Sequence, residues 1–215
     1  MHIKRLIRFV LYVAIAINVS VSYAGAYEDF FKAIELDDAT AVRRLLERGM
    51  DPDTRDPRGQ LALYVALRDE SLRVADVLLS HPGLHVDLPN AVGETPLMMA
   101  ALRGQFEIAQ RLYARGATVE RQGWTPLHYA ASGPSLDLLR WLLELRAPIN
   151  ARSPDGTTPL MLAAGYGLID ATDELLQRGA DATARNERGL DAAEFARRAG
   201  RDALAARIKA AAKSR

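Results

Sequence analysis

Apolar residues recur along this chain in short bursts of two kinds, separated by polar stretches that contain glycine. One kind is a leucine followed by paired alanines, in Pro96-Leu97-Met98-Met99-Ala100-Ala101, Pro126-Leu127-His128-Tyr129-Ala130-Ala131 and Pro159-Leu160-Met161-Leu162-Ala163-Ala164. The other places apolar residues at helical spacing, as in Phe106, Ile108, Ala109 and Leu112, or Leu138, Leu139, Leu142 and Leu143. Paired apolar steps recur at Leu45-Leu46, Leu78-Leu79, Leu112-Tyr113, Leu142-Leu143 and Leu175-Leu176. The pattern predicts pairs of short helices.

The punctuation between bursts is as regular as the bursts. Threonine precedes proline at 95–96, 125–126 and 158–159. A threonine hydroxyl caps free backbone N–H groups, and proline at the first helical position gives up no hydrogen bond. Each Thr-Pro therefore opens a helix, which should stop after about two turns near Gly104, Pro134 and Gly167. The second helices should end at Gly49, Gly116 and Gly179, each preceded by an arginine that suits a helix C-terminus. Loop glycines stand at 59, 93, 123, 156 and 189, with spacings of 34, 30, 33 and 33.

A period of 33 with Thr-Pro-Leu-His-x-Ala is the ankyrin-repeat signature, and Thr125 to Ala130 reproduces it in full. The chain resembles the ankyrin-repeat family over residues 27–210. The resemblance implies an all-α fold, a solenoid of about six helix-turn-helix repeats with protruding finger loops. The copies fall at 27–55, 56–88, 89–121, 122–152, 153–185 and 186–210, with a tail at 211–215. The first copy lacks Thr-Pro and begins with Phe30 and Phe31, and the last ends in a charged, alanine-rich helix. Such ends read as caps, because a terminal repeat covers the core on one side only. The second copy has Leu61-Ala62-Leu63-Tyr64 in place of the motif and runs one residue long at Ser80-His81-Pro82-Gly83. The finger at Thr118 to Gln122 is three residues short and should be stunted.

Residues 1–24 read as a signal peptide. Lys4, Arg5 and Arg8 precede an unbroken apolar run from Phe9 to Ile17, and small residues permit cleavage after Ala24 or Ala26. An uncleaved anchor is the alternative, but the apolar stretch falls short of the roughly 20 residues that span a bilayer. The 24 arginines against 4 lysines fit a GC-rich coding sequence and, with this segment, a Gram-negative bacterium. The expected location is the periplasm, with the extracellular space as the alternative. The chain has no cysteine, which removes disulfides, thiolate metal sites and cysteine nucleophiles. Without residues 1–24 it carries 25 basic and 27 acidic side chains, so nucleic acid is not an expected partner. No second long apolar run follows, and the mature protein is expected to be a monomer free of the membrane. Residues 186–215 hold eight basic and four acidic side chains. A solvated cap helix explains this excess, and an acidic or membrane-surface partner is the alternative.

Several residues invite chemical readings and have simpler ones. His81, His85 and Asp87 lie close in sequence, but Pro82 and Gly83 break the helix that would aim both imidazoles at one metal. The resemblance implies that His128 is structural, bonded to loop backbone. Gly165-Tyr166-Gly167 lacks the third glycine and preceding strand of a dinucleotide loop and reads as a helix end. Asp37-Asp38 and Asp69-Glu70 lie at turns where capping accounts for them. No nucleophile elbow, P-loop or zincin pattern occurs. The expectation is a non-catalytic module without cofactor or metal. A secreted effector acting on a host protein, and a periplasmic metal-dependent or stress-protective enzyme, are the alternatives.

The resemblance also implies where a protein partner would bind: the fingertips and the concave surface of the first helices. Carried onto this sequence, these positions are Arg58, Gln60, Arg68 and Asp69 in the second copy and Val92, Glu94, Leu102 and Arg103 in the third. The fourth copy supplies Trp124 and Ser132, and the fifth Asp155, Thr157 and Tyr166. Trp124 is either an interface anchor or a residue covered by the shortened finger. Trp141 and Phe106 occupy second-helix positions where repeats stack. The capping assignment has a direct check in melting curves. Deleting residues 186–215 is expected to lower the melting temperature or solubility far more than deleting 211–215, and equal curves for the two truncations would refute it.

Overall fold

The computed structural model describes residues 25–213. The signal segment assigned to residues 1–24 lies outside the described residues, as do Ser214 and Arg215 of the tail. Two compact units divide the chain between Leu84 and His85. The division directly follows the one-residue excess at Ser80-His81-Pro82-Gly83. Among the described residues the structure is helical, with a single isolated bridge between Arg55 and Leu61.

The first unit holds α1 (residues 25–35), α2 (Ala39–Glu47), α3 (Ala62–Arg68) and α4 (Leu72–Ser80). Phe30, Ile34, Val42, Leu63, Leu67 and Leu78 form its core, each essentially sealed from solvent. Burying a side chain of this size contributes roughly 1.5–3 kcal/mol. Lacking Thr-Pro, α3 opens at Leu61 with no side-chain cap. The adjacent acids of the α1–α2 turn divide two tasks. Asp38 accepts from the N–H groups of Thr40 and Ala41 at the start of α2. Asp37, in the left-handed region at φ 51°, reaches the next repeat, accepting from Val74 N–H at 2.9 Å and Arg73 Nε at 2.9 Å. Burial alone would raise the Asp37 carboxyl, but the Arg73 and Val74 donors outweigh it and hold it below the usual carboxylate range.

The second unit is built from α5 (Pro96–Arg103), α6 (Phe106–Ala114), α7 (Pro126–Ser132), α8 (Leu136–Glu144), α9 (Pro159–Tyr166), α10 (Ile169–Gln177), α11 (Ala192–Arg198) and α12 (Asp202–Lys213). Every Thr-Pro opens a helix with proline in its first turn. The inner helices stack in order, α5 on α7, α7 on α9 and α9 on α11, while α6, α8, α10 and α12 stack behind them. The six paired alanines from Ala100 to Ala164 are all buried, so the inner helices meet backbone to backbone. Gly167 makes the tightest approach: a Cβ there would stand 1.9 Å from the Ala131 carbonyl oxygen, a place no side chain can occupy.

Four fingers share one closure. The residue three before the loop glycine donates its N–H to a carbonyl four residues on: Asp56 to Gln60, Asn90 to Glu94, Ser153 to Thr157 and Asn186 to Leu190. The side chains of Asp56, Asn90 and Asn186 accept the N–H groups two and four residues ahead. The shortened finger has no such closure among the described residues. Asp87 of the preceding finger holds it instead, accepting from Thr118 Oγ1 at 2.9 Å and from Arg121 Nη1 at 3.3 Å. The last helix pair is one-sided as a cap must be: α12 buries Leu204, Ala205 and Ile208 and exposes most of its remaining residues. Arg201 seals the seam by donating to the Gly167 carbonyl at 2.8 Å.

Thr172 is the exception within this core. It is fully buried on α10, at the register occupied by Ala109 on α6 and Leu139 on α8, and its hydroxyl has no hydrogen-bond partner. A desolvated, unpaired hydroxyl costs on the order of 1 kcal/mol. Thr172→Val keeps the shape and removes that cost, so urea unfolding should show a stabilisation of about 1 kcal/mol. A destabilised Thr172→Val variant would mean that the hydroxyl is bonded after all.

Candidate protein-binding face

The free side of the inner helices is set by which motif positions the stack uses. In Thr-Pro-Leu-x-x-Ala-Ala the leucine and alanines are consumed by packing. The fourth position serves the cap. His128 Nδ1 accepts the Thr125 N–H at 3.1 Å and lies 2.9 Å from the Thr125 hydroxyl, while Met98 and Met161 present Sδ to Thr95 and Thr158 N–H at 3.4 Å. The fifth position, Met99, Tyr129 or Leu162, comes next. Met99 is buried, whereas Tyr129 and Leu162 are half-exposed.

The imidazole of His128 is buried and doubly engaged, its Nε2 lying 3.1 Å from the Thr157 carbonyl of the next repeat. Accepting at Nδ1 and donating at Nε2 requires the neutral Nε2–H tautomer. Burial holds His128 below its ordinary value, outweighing the Thr157 and Ala151 carbonyls that favour the cation. This geometry matches the structural role implied for it. Asp87, the acidic member of the His81–His85–Asp87 run, is engaged by Thr118 and Arg121. His81 Nδ1 accepts the Gly83 N–H at 3.1 Å.

Leu102, Trp124 and Ser132 come together in the second unit. With His128, Tyr129 and Leu162 they line an open groove of about 420 Å³ that is almost wholly apolar. Trp124 is half-buried, its ring edge-on to His128 at 5.2 Å and to Tyr129 at 6.2 Å. It is neither bare nor fully buried, and it forms one wall of the groove. The Tyr129 hydroxyl donates to Glu94 at 2.8 Å, and Glu94 also accepts from Asn90 Nδ2, so this acid is held in the finger base. Val92, at the fingertip, is 70% exposed, and Arg103 is exposed beside Leu102. Tyr166 is 68% exposed and stands apart, edge-on to Phe195 at 6.5 Å.

One expected contact residue is overturned. Thr157 is only 3% exposed: its N–H bonds Ser153, its hydroxyl accepts from Asn186, and its carbonyl meets His128, so it belongs to the finger closure. Asp155 accepts from Ser153 Oγ and Thr157 N–H, with Arg188 at 3.5 Å, and these bonds hold its carboxyl below the usual range. In the first unit Arg58 is exposed and Gln60 half-buried, while Arg68 and Asp69 join in a two-pronged pair at 2.7 Å. Sequence reasoning missed Tyr129 and Leu162, although their place directly before the paired alanines marks them. Trp141 lies half-exposed between Phe106 at 5.7 Å and Tyr113 at 5.6 Å, in an edge-to-face cluster on the outer helices.

Helix pairs with Thr-Pro caps, stacked inner helices and hairpin fingers define a repeat protein whose known role is to bind other proteins. A family model for three copies of ankyrin repeats matches residues 30–122 and again 118–186, and the chain belongs to the ankyrin-repeat family. The B-cell lymphoma 3 protein homolog of Mus musculus is 30% identical over 152 residues, which are 67% of this chain and 34% of that protein. The neurogenic locus notch homolog protein 1 of Mus musculus is 31% identical over 165 residues, 68% of this chain and 6% of that protein. The chain thus spans about a third or less of these relatives. Among solved structures it matches a chain from the complex of the predatory endopeptidase Bd0816 of Bdellovibrio bacteriovorus with immunity protein Bd3460. That match has a TM-score of 0.70 and 26% identity over 85% of this chain and 97% of the other.

His128 makes a testable contribution to acid sensitivity. Its folded value lies below the ordinary 6.5, so its contribution to stability is fully present above that pH and is lost as the pH falls below it. His128→Met installs the residue already used at 98 and 161. Urea unfolding at pH 7.5 and pH 5.5, flanking the ordinary imidazole value of about 6.5, should show a smaller acid-induced loss for the variant than for the parent. Equal losses would remove His128 as the source.

Proposed function

We propose that this protein is an exported, non-catalytic ankyrin-repeat module of a bacterial periplasm that binds another protein through its inner-helix face and fingertips. The observation that carries the reading is the groove walled by Trp124, Tyr129, Leu102 and Leu162. It leaves aromatic and aliphatic surface open beside polar groups that are already bonded, which suits an interface anchor better than a reaction centre. The basic, then apolar, then small-residue order of residues 1–24 supports export.

A second reading narrows the partner. The chain that matches nearly end to end comes from a complex of an endopeptidase with its immunity protein. On this reading the partner is an enzyme, such as a peptidase, whose activity the producing cell must restrain. A secreted effector is the competing fate. Fractionation of the source cells separates them, since an immunity-type protein stays in the periplasm and an effector appears outside.

The test of the binding face is a capture experiment from periplasmic extract with the parent and a Trp124→Ala, Tyr166→Ala variant. A partner retained by the parent and lost by the variant is the expected result. A partner held equally by both would move the interface elsewhere, and empty captures from both, with the protein found outside the cell, would favour the effector.

A further inference from the structure

We propose that a pocket beside Tyr166 receives the C-terminal residue of a partner protein, its α-carboxylate held by Arg188 and Arg198 and its apolar side chain seated on Phe195 and Leu190. The proposal rests on the protein-binding reading and adds which part of the partner is read. The pocket, a hollow of about 430 Å³ when the adjoining open solvent is included, lies in the second unit between the last fingertip and the inner helices α9 and α11. Gly165, Leu190, Phe195 and Ala199 give it an apolar lining, with the exposed ring of Tyr166 beside them.

Two arginines, Arg188 and Arg198, line this pocket beside its apolar residues. Arg188 and Arg198 have side chains 69% and 60% exposed. Among the described residues each makes a single long side-chain contact, at 3.5 Å to Asp155 and 3.6 Å to Glu194. Those acids are served better elsewhere: Asp155 by Ser153 Oγ at 2.6 Å, Glu194 by Arg197. Five donors per guanidinium are therefore largely unused, in a geometry that favours two-pronged carboxylate binding. The occupant must bring a carboxylate and an apolar group into one pocket. Within a chain, an acidic side chain and an apolar neighbour alternate to opposite sides of an extended segment. A C-terminal residue carries both on one Cα.

The test is an amide-shift NMR titration of the labelled protein with three peptides: acetyl-alanyl-alanyl-phenylalanine as the free acid, the same peptide as its amide, and acetyl-alanyl-glutamyl-phenylalanine amide. The free acid should produce saturable shifts at Tyr166, Phe195 and Arg198, binding at least about tenfold more tightly than either amide, as charge-assisted hydrogen bonds predict. Arg188→Gln with Arg198→Gln should erase that preference. Equal binding of acid and amide, preference for the internal glutamate, no saturable shift, or an acid preference that survives the double variant would each overturn the proposal. If the double variant does not fold, the acid-to-amide comparison on the parent decides alone. A partner captured from periplasmic extract by the parent, with no peptide binding, sinks this proposal and leaves the binding module standing.

Discussion

The second unit depends on inner helices whose backbones come almost into contact. Where Gly167 meets the Ala131 carbonyl there is no space for a single methyl group, and the paired alanines hold the same spacing along the stack. This proximity buries the Thr-Pro caps as well, since Thr95, Thr125 and Thr158 are sealed from water. A buried cap cannot borrow solvent for the threonine N–H, so an acceptor must come from the helix itself. Only a side chain with an acceptor at the fourth motif position can supply it. An imidazole nitrogen and a thioether sulfur both reach, which explains how histidine and methionine exchange there without disturbing the helix start.

The proposed binding face is the geometric remainder of that stack. Small residues are committed to the helix seam, leucines to the core, and the fourth position to the cap. The open side carries Leu102, Trp124, Tyr129, Leu162 and Tyr166. Their exposure follows from the spacing rule that forces alanine elsewhere. The fingers then fix polar groups along one edge, with Glu94 and Asp155 oriented by neighbouring donors.

Much of this was legible in the sequence. Thr-Pro marked the inner-helix starts, glycine marked the stops, and the 33-residue period placed the repeats in order. The fate of Thr157 was not legible, because it turns inward through bonds to His128 and Asn186, each 29 residues away. The same limit applies to the Arg188 and Arg198 pocket, whose lining comes from two helices and a finger. The shortened finger announced itself by length, yet its anchor, Asp87, lies one repeat upstream and carries no local mark. Sequence periodicity reports which face a residue shares, and it is silent on which neighbour's carbonyl awaits it.

The long-range bonds carry one further consequence. Asp37 to Val74, Thr118 to Asp87, His128 to Thr157 and Arg140 to Glu174 span 37, 31, 29 and 34 residues. Each closes a loop of nearly the same length. Loop-closure entropy grows only with the logarithm of that length, so the spread among these ties amounts to on the order of 0.2 kcal/mol. Joining one repeat to the next therefore requires the same conformational search wherever in the array it occurs. Adding a repeat lengthens the chain without lengthening the search, so the folding speed of such an array is set by its unit rather than its size.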